Sequence, residues 1–448
     1  MSLSNEFATS QLITQYTASY FGLRSWVLKY ADIGVSEFQQ DASNPTNIYK
    51  TGGAIRIEIM GYPSGQRGKV ITPEARQTKT VNYVIDPDVD IYNTGEFSDA
   101  YEILYFIKGH DKAFRELSQK ILADKGYDEI DPDMKNKMNR FAQSSFDVLK
   151  DQLERTVAER FVKNAYYCPI SDPNQMPTQM TVQYMNDTHS FMNSLGMYGR
   201  RFAVLNEKNY NEVVNTFNNQ FNNRFSFPAL VDNKWPEANT LKGFVVMDVN
   251  TILSVNNSPQ YTQEPTDKPT VTGLSADGRT LSLSGVISTN GLVFNEGTLL
   301  TLESVKYVTG IAKAPTFYTA VFKVTADADG NGDGTVDVQI SDAIDATSQH
   351  ANVNITPAIG SLVTVWPGYL PNNIFLPRGL YANALPLDDV YGSTIGRYTT
   401  ADRKIMLQTY AQGNVLSLIN NFRMSMLNPL LVVPDGCVLM PTQLPDNV

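Results

Sequence analysis

The chain has 448 residues, of which 42% are hydrophobic and 18% charged, and a formal net charge of −10. At about 150 residues per domain this length suits two or three domains. The composition is too apolar for a disordered polymer and too varied for a fibre, and the acidity excludes a protein whose main work is gripping nucleic acid.

From the amino terminus, Leu12, Ile13, Tyr16, Tyr20, Phe21, Leu23, Trp26, Val27 and Tyr30 outline a short amphipathic helix. A polar run through Thr46 then predicts an extended arm. Between Thr51 and Asp90 the period changes to two. Ile55, Ile57 and Ile59 alternate with Arg56 and Glu58, turn chemistry follows from Tyr62 to Lys69, and Val81, Tyr83 and Ile85 alternate again. This predicts a long β-hairpin with a charged, glycine-rich tip. Arg56, Arg67, Lys69, Arg76 and Lys79 gather on it, near Asp86, Asp88, Asp90 and Glu96. They form either a solvated arm or a set of contacts with another copy of the chain, in which ionic pairs fix register more than they add affinity.

Residues 98 to 125 read as a helix through Tyr101, Leu104, Tyr105, Phe114, Leu117, Ile121 and Leu122, closed by Lys125 and Gly126. Asp131 and Pro132 open a second, much longer helix that reaches about Tyr167. Its expected apolar stripe is Met134, Met138, Phe141, Ser145, Val148, Leu149, Leu153, Val157 and Phe161, and Glu154 falls on the wet side. A helix over Thr181 to Leu195 follows, with His189 on its apolar face. Next come a strand at Arg201 to Leu205, a helix from Glu207 to Phe217 capped by Asn206, and a strand at Lys242 to Asp248.

From Pro259 to about Val365 the signals are almost entirely β, with Asp-Gly and Asn-Gly turns between short alternating strands. That pattern predicts a small sandwich or barrel with Leu281, Leu283, Val286, Leu299, Leu300, Leu302, Val305, Phe322, Val324, Val336 and Val338 inside. Both flanks belong to something else, so the module reads as an insertion whose two ends lie close together. After it, loops and strands alternate to the carboxyl end.

The search for catalytic chemistry comes up empty. His110, His189 and His350 are the only histidines, and no Gly-x-Ser-x-Gly elbow accompanies them. The pair Gly68-Lys69 lacks the rest of a phosphate loop. Cys168 and Cys437 have no second cysteine or histidine at ligand spacing, which excludes a disulfide scaffold and a zinc knuckle. Asp327, Asp329, Asn331 and Asp333 carry the grammar of a calcium loop, but Val338 holds the place of its bidentate glutamate. A polar hairpin loop that binds calcium weakly or not at all is the expectation there, with no cofactor. Neither a signal peptide nor a membrane span is expected, which keeps the chain in a cytoplasm-like compartment.

Arm, long hairpin, long helix, strand-Asn-helix unit and all-β insertion, in this order, resemble the major capsid protein of tailed phages, the Hong Kong 97-type fold. Within it, the likeness is greatest to coat proteins of short-tailed Salmonella-type phages that carry a telokin-like insertion domain. The residues that carry it are Arg201 to Asn206 with the Tyr210 helix, Leu241 to Phe244 through Leu253, and Asn428-Pro429 to Gly436. The resemblance implies an α+β fold with an arm at 1–50 and an extended loop at 51–100. A peripheral domain at 101–180 would contain a spine helix at 131–167. An axial domain would start at 181–258, be interrupted by the all-β domain at 259–366, and be completed with the peripheral domain at 367–448. It also implies a non-enzymatic shell subunit forming pentamers and hexamers, with a scaffolding protein, a portal and packaged DNA as partners. Maturation on packaging and residence in the virion after assembly in the host cytoplasm follow from it. The Lys-Asn crosslink of some relatives finds no matching segment. The alternative is a β-rich surface or adhesin-like binding protein, and a hydrolase comes third.

Overall fold

The computed structural model describes residues 13–20, 32–33, 53–60, 75, 77–85, 100–108, 132–199, 201–221, 243–249, 253–262, 268–377, 381–382, 393–399, 406–414, 419–427, 430–431 and 437–444. In chain order the main elements begin with helix α1 (13–20), β1 (Gly53–Met60), β2 (Thr78–Ile85) and β3 (Ala100–Lys108). Next come α2 (Pro132–Asn164), β4 (Ala165–Tyr167), α3 (Val182–Ser194), β5 (Arg201–Asn206), α4 (Glu207–Phe221) and β6 (Phe244–Val249). The insertion supplies β7 (Thr270–Leu274), β8 (Thr280–Ser284), β9 (Leu299–Val308), β10 (Pro315–Lys323), β11 (Thr335–Gln339) and β12 (Val363–Val365). The chain ends with β13 (Asn373–Leu376), β14 (Ser393–Thr399), β15 (Met406–Asn414), β16 (Ile419–Leu427) and β17 (Cys437–Leu439). Helices and several sheets are mixed, which makes the fold α+β.

The chain forms two compact units. The first comprises Met1–Glu58, Thr80–Val157 and Leu380–Val432; the second comprises Ile59–Lys79, Ala158–Gly379 and Val433–Val448. The second therefore takes in the inserted strands together with their host sheet. The physical reason is the set of buried contacts between them described below.

In the first unit, β14, β15, β16 and β3 form a four-stranded antiparallel sheet. β3 corrects residues 100–108 of the helix expected at 98–125, of which 98–99 and 109–125 lie outside the described residues. Tyr101, Leu104 and Tyr105 satisfy helical spacing, but Tyr101, Ile103, Tyr105 and Ile107 also alternate. Pairing of Ala100–Lys108 along all of Ile419–Leu427 decides for the strand. Helix α1 packs in the same unit through buried Ile13 and Ala18, a Tyr20–Phe146 ring contact at 5.9 Å and a hydroxyl contact from Thr14 to Thr409.

Helix α2 runs for 33 residues, about 50 Å at 1.5 Å per residue. Ala142, Ser145, Phe146, Leu149, Leu153, Ala158 and Phe161 are its buried stripe, whereas Val148 is 42% exposed. The apolar face thus runs through Phe146 rather than Val148. Glu154, expected on the wet face, is buried and lies 3.6 Å from the Lys150 ammonium one turn earlier. The helix stops at Asn164 because Ala165 to Tyr167 leave it as β4 to pair with Cys437 and Val438.

In the second unit, the host sheet has the order β4-β17-β13-β5-β6. β5 is buried along its whole length, parallel to β6 and antiparallel to β13. Asn206 caps α4 as its position predicts, accepting the Asn209 amide at 2.8 Å. The capped turn is tied inward, since Asn209 Nδ2 donates to Asn373 Oδ1 at 2.9 Å and Asn373 Nδ2 donates to the Met440 carbonyl at 3.3 Å.

The insertion builds two three-stranded sheets, β10-β9-β12 and β11-β8-β7. They join at both margins. Val324 bridges Ile340 on one side, and Thr270 bridges Leu362 on the other, where Val271 donates to Ser361 at 2.9 Å and Val363 to Pro269 at 2.8 Å. The wall therefore closes into a barrel in the order β7-β8-β11-β10-β9-β12. Leu283 pairs with Val336, Leu281 with Val338, Leu300 with Phe322 and Leu302 with Val363, and every apolar residue predicted for the interior is buried. Gly278 in the Asp-Gly turn has φ +72°, and a Cβ there would lie 2.8 Å from the Ile344 carbonyl oxygen, so that turn requires glycine. Among the described residues no helix is long and apolar enough to cross a membrane.

Candidate functional site

The sheet strands that flank the insertion are β6 and β13, both neighbours of β5. Between them the chain leaves and re-enters through one reciprocal pair, the Val255 and Tyr369 amides each donating to the other's carbonyl at 2.9 Å. The Leu253 amide donates to Asn372 Oδ1 at 2.9 Å, and the Tyr369 hydroxyl donates to the Gly297 carbonyl at 2.8 Å. The chain thus enters and leaves the barrel side by side, and further contacts join the barrel to the host.

Lys323, the last residue of β10, is the first such contact. An α-helix leaves its last carbonyls without amide partners and carries partial negative charge at that end. Lys323 Nζ fills this need at the end of α2, donating to the Lys163 carbonyl at 2.8 Å, the Ala165 carbonyl at 3.2 Å and the Val162 carbonyl. Its side chain is 4% exposed. Burial pushes the Lys323 ammonium down to about 7; Cys437 and Glu296 pull it back up, and Lys163 adds to the fall. Lys163 itself faces Glu296 of the barrel at 3.9 Å, half-exposed.

Tyr307 of β9 is the second. Its buried hydroxyl donates to the Val321 carbonyl at 2.9 Å and accepts the Val321 amide at 3.0 Å and the Cys168 amide at 3.3 Å. Cys168 belongs to the linker after α2, so one hydroxyl joins barrel and host. Its ring lies 5.4 Å from Tyr167 and 5.6 Å, edge-on, from Phe191 of α3, which meets Tyr318 of β10 at 4.7 Å. Ser171 Oγ accepts the Thr319 amide at 3.1 Å. Burial raises the Tyr307 hydroxyl above its ordinary range and the Cys168 thiol to about 12, so neither ionises near neutrality.

The residues singled out from sequence fall elsewhere. Arg56 lies on β1 and Lys79 on β2, the two strands of the expected hairpin. Arg67, Lys69 and Arg76 lie outside the described residues. The calcium-loop carboxylates do not converge. Asp327 accepts the Glu296 amide at 2.7 Å, Asp329 pairs in a short strand with Leu292, and Asn331 and Asp333 both bond Thr335. These Thr335 bonds, side chain first, hold the Asp333 carboxyl below its usual range. Among the described residues no three His, Cys, Asp or Glu side chains gather to hold a metal ion. His189 accepts from Arg201 Nη1 at 2.9 Å and meets Phe244 edge-on at 5.8 Å; burial and then Arg201 lower its pKa, so it packs as a neutral ring. His350 lies in the loop after β11, and His110 is outside the described residues.

Sequence reasoning missed Lys323 and Tyr307. The one available signal was a lysine set among Ala320, Val321, Phe322 and Val324, in a strand that is otherwise apolar at that end.

No family model and no curated protein matches the chain. Solved structures do, among them one described as the CUS-3 coat protein I-domain. It is 24% identical with a TM-score of 0.16, and the match covers 22% of this chain and 96% of that one.

Proposed function

We propose that this chain is a shell-forming coat subunit of the Hong Kong 97 type that turns over no substrate. The observation that carries the reading is the interruption of one host sheet, between Phe244–Val249 and Asn373–Leu376, by a closed β-barrel. It follows a two-stranded hairpin, a 33-residue helix and an Asn-capped strand-helix unit in the same order as the family the sequence resembles. Its polar groups support a structural role, since Lys323, Tyr307 and the asparagines are spent on holding elements together. In this reading copies assemble as pentamers and hexamers around a scaffolding protein with a portal, enclose DNA on the inner face without sequence-specific contacts, and mature when it is packaged. Arg56, Arg67, Lys69, Arg76 and Lys79 of the hairpin then meet neighbouring copies. The virion capsid, assembled in the host cytoplasm, is its place. Sedimentation and electron microscopy of the full chain, with and without a co-expressed scaffold, test this. Shells or capsomer-sized particles are expected, and a stable monomer under both conditions overturns the reading.

A further inference from the structure

The loop that follows β11 is built before anything docks on it. Asp345 accepts the Thr347 amide at 2.9 Å, the Ser348 amide at 3.0 Å and the Ser348 hydroxyl. Asn352 Oδ1 accepts the Asp345 amide at 3.0 Å, while its Nδ2 donates to Asp342 at 2.7 Å and the Ala343 carbonyl at 2.8 Å. Lys313 Nζ closes the outside by donating to the Ala351 carbonyl at 3.0 Å. Gln349, 7% exposed, stands inside this frame and bonds residues far away in sequence. Its Oε1 accepts the Gln77 amide at 2.8 Å, its amide donates to Gln77 Oε1 at 3.0 Å, and its Nε2 donates to the Ala75 carbonyl at 2.7 Å. Gln77 directly precedes β2, the return strand of the hairpin.

We propose that the 345–352 loop is an intrachain latch whose ligand is the pair Ala75 and Gln77, the described residues that lead into β2. Gln349 presents a carbonyl oxygen and an N–H in the spacing of a neighbouring strand, and Gln77 answers with the same pair of groups. Ala75 and Gln77 are exposed, so their backbone groups have water as the competing partner. All three bonds are between neutral groups and involve one residue of the loop. These three bonds therefore open together, and none of them is part of the barrel's own strand pairing. It acts within one chain and does not depend on the shell reading.

Amide hydrogen exchange on the full-length, unassembled chain tests it. Gln349→Ala is expected to speed exchange of the Gln77 amide about tenfold or more, with β8 and β11 amides unchanged. Gln349→Glu keeps the acceptor for Gln77 and loses the donor to Ala75, so it gives intermediate protection. Gln77→Ala leaves the barrel amides as they are. Equal Gln77 exchange in wild type and Gln349→Ala overturns the proposal. So does equal acceleration throughout β8 and β11, which would make Gln349 a barrel residue only. Neither result bears on whether shells form.

Discussion

Two of the barrel's contacts within its unit have opposite chemistry. At the end of α2 the seat is desolvated, with a buried ammonium on three carbonyls and a Tyr307–Phe191–Tyr318 aromatic cluster. At Ala75 and Gln77 the contact includes three neutral hydrogen bonds between exposed residues and one glutamine. Opening the first exposes apolar rings and strips a helix terminus of its donor, whereas opening the second exchanges amide bonds for bonds to water. The first thus belongs to the stability of the unit and the second to its local motions.

The largest effect is expected from Phe191→Ala. Phe191 is fully buried and bridges α3 to both Tyr307 and Tyr318, so the cavity should cost about 3–5 kcal/mol in urea unfolding. A loss below about 1 kcal/mol would show that the seat is not core. Lys323→Met should cost about 1–3 kcal/mol, because the carbonyls of α2 lose their donor. It also sharpens the pH dependence. The folded state holds Lys323 at about 7, below the ordinary value of 10.5, so above pH 7 the unfolded chain binds more protons. Stability from this group therefore rises from pH 7 toward 10 and is lost as pH falls through 7. Stability–pH curves of wild type and Lys323→Met should differ in slope across that window, and parallel curves would contradict the burial of a titrating amine. Tyr307→Phe should cost about 1–2 kcal/mol by leaving the Cys168 and Val321 amides without their shared acceptor. Gln349→Ala should change global stability by no more than about 1 kcal/mol, measured by the same unfolding curves, since its bonds lie at an exposed segment. A larger loss would erase the distinction between seat and latch.

The barrel interior was legible because a closed sheet with water outside leaves only period-two alternation to satisfy. Leu281 and Leu283, or Val336 and Val338, have no other consistent placement. Asn206 was legible for a local reason, since a cap needs only the amide three residues on. β3 was not, because Tyr101, Leu104 and Tyr105 fit both periods and the deciding partner is some three hundred residues away in β16. On α2 the stripe was displaced at Val148 because Phe146 fits the same helical face and buries more area. Lys323 and Gln349 were invisible for another reason. Their residue types normally face water, and only the arrival of a helix end or a distant strand gives their polar atoms a buried use.

The closure of the barrel also bears on behaviour at high concentration. Open sheets offer rows of unpaired amides and carbonyls, and a second molecule can extend them indefinitely by templating its own strand alongside. In the barrel wall those groups are consumed where Val271 meets Ser361 and Val324 meets Ile340. Many copies crowded together would therefore find less backbone template at these joined margins. Association there leans on side chains, which favours a specific and finite contact over a fibrous one.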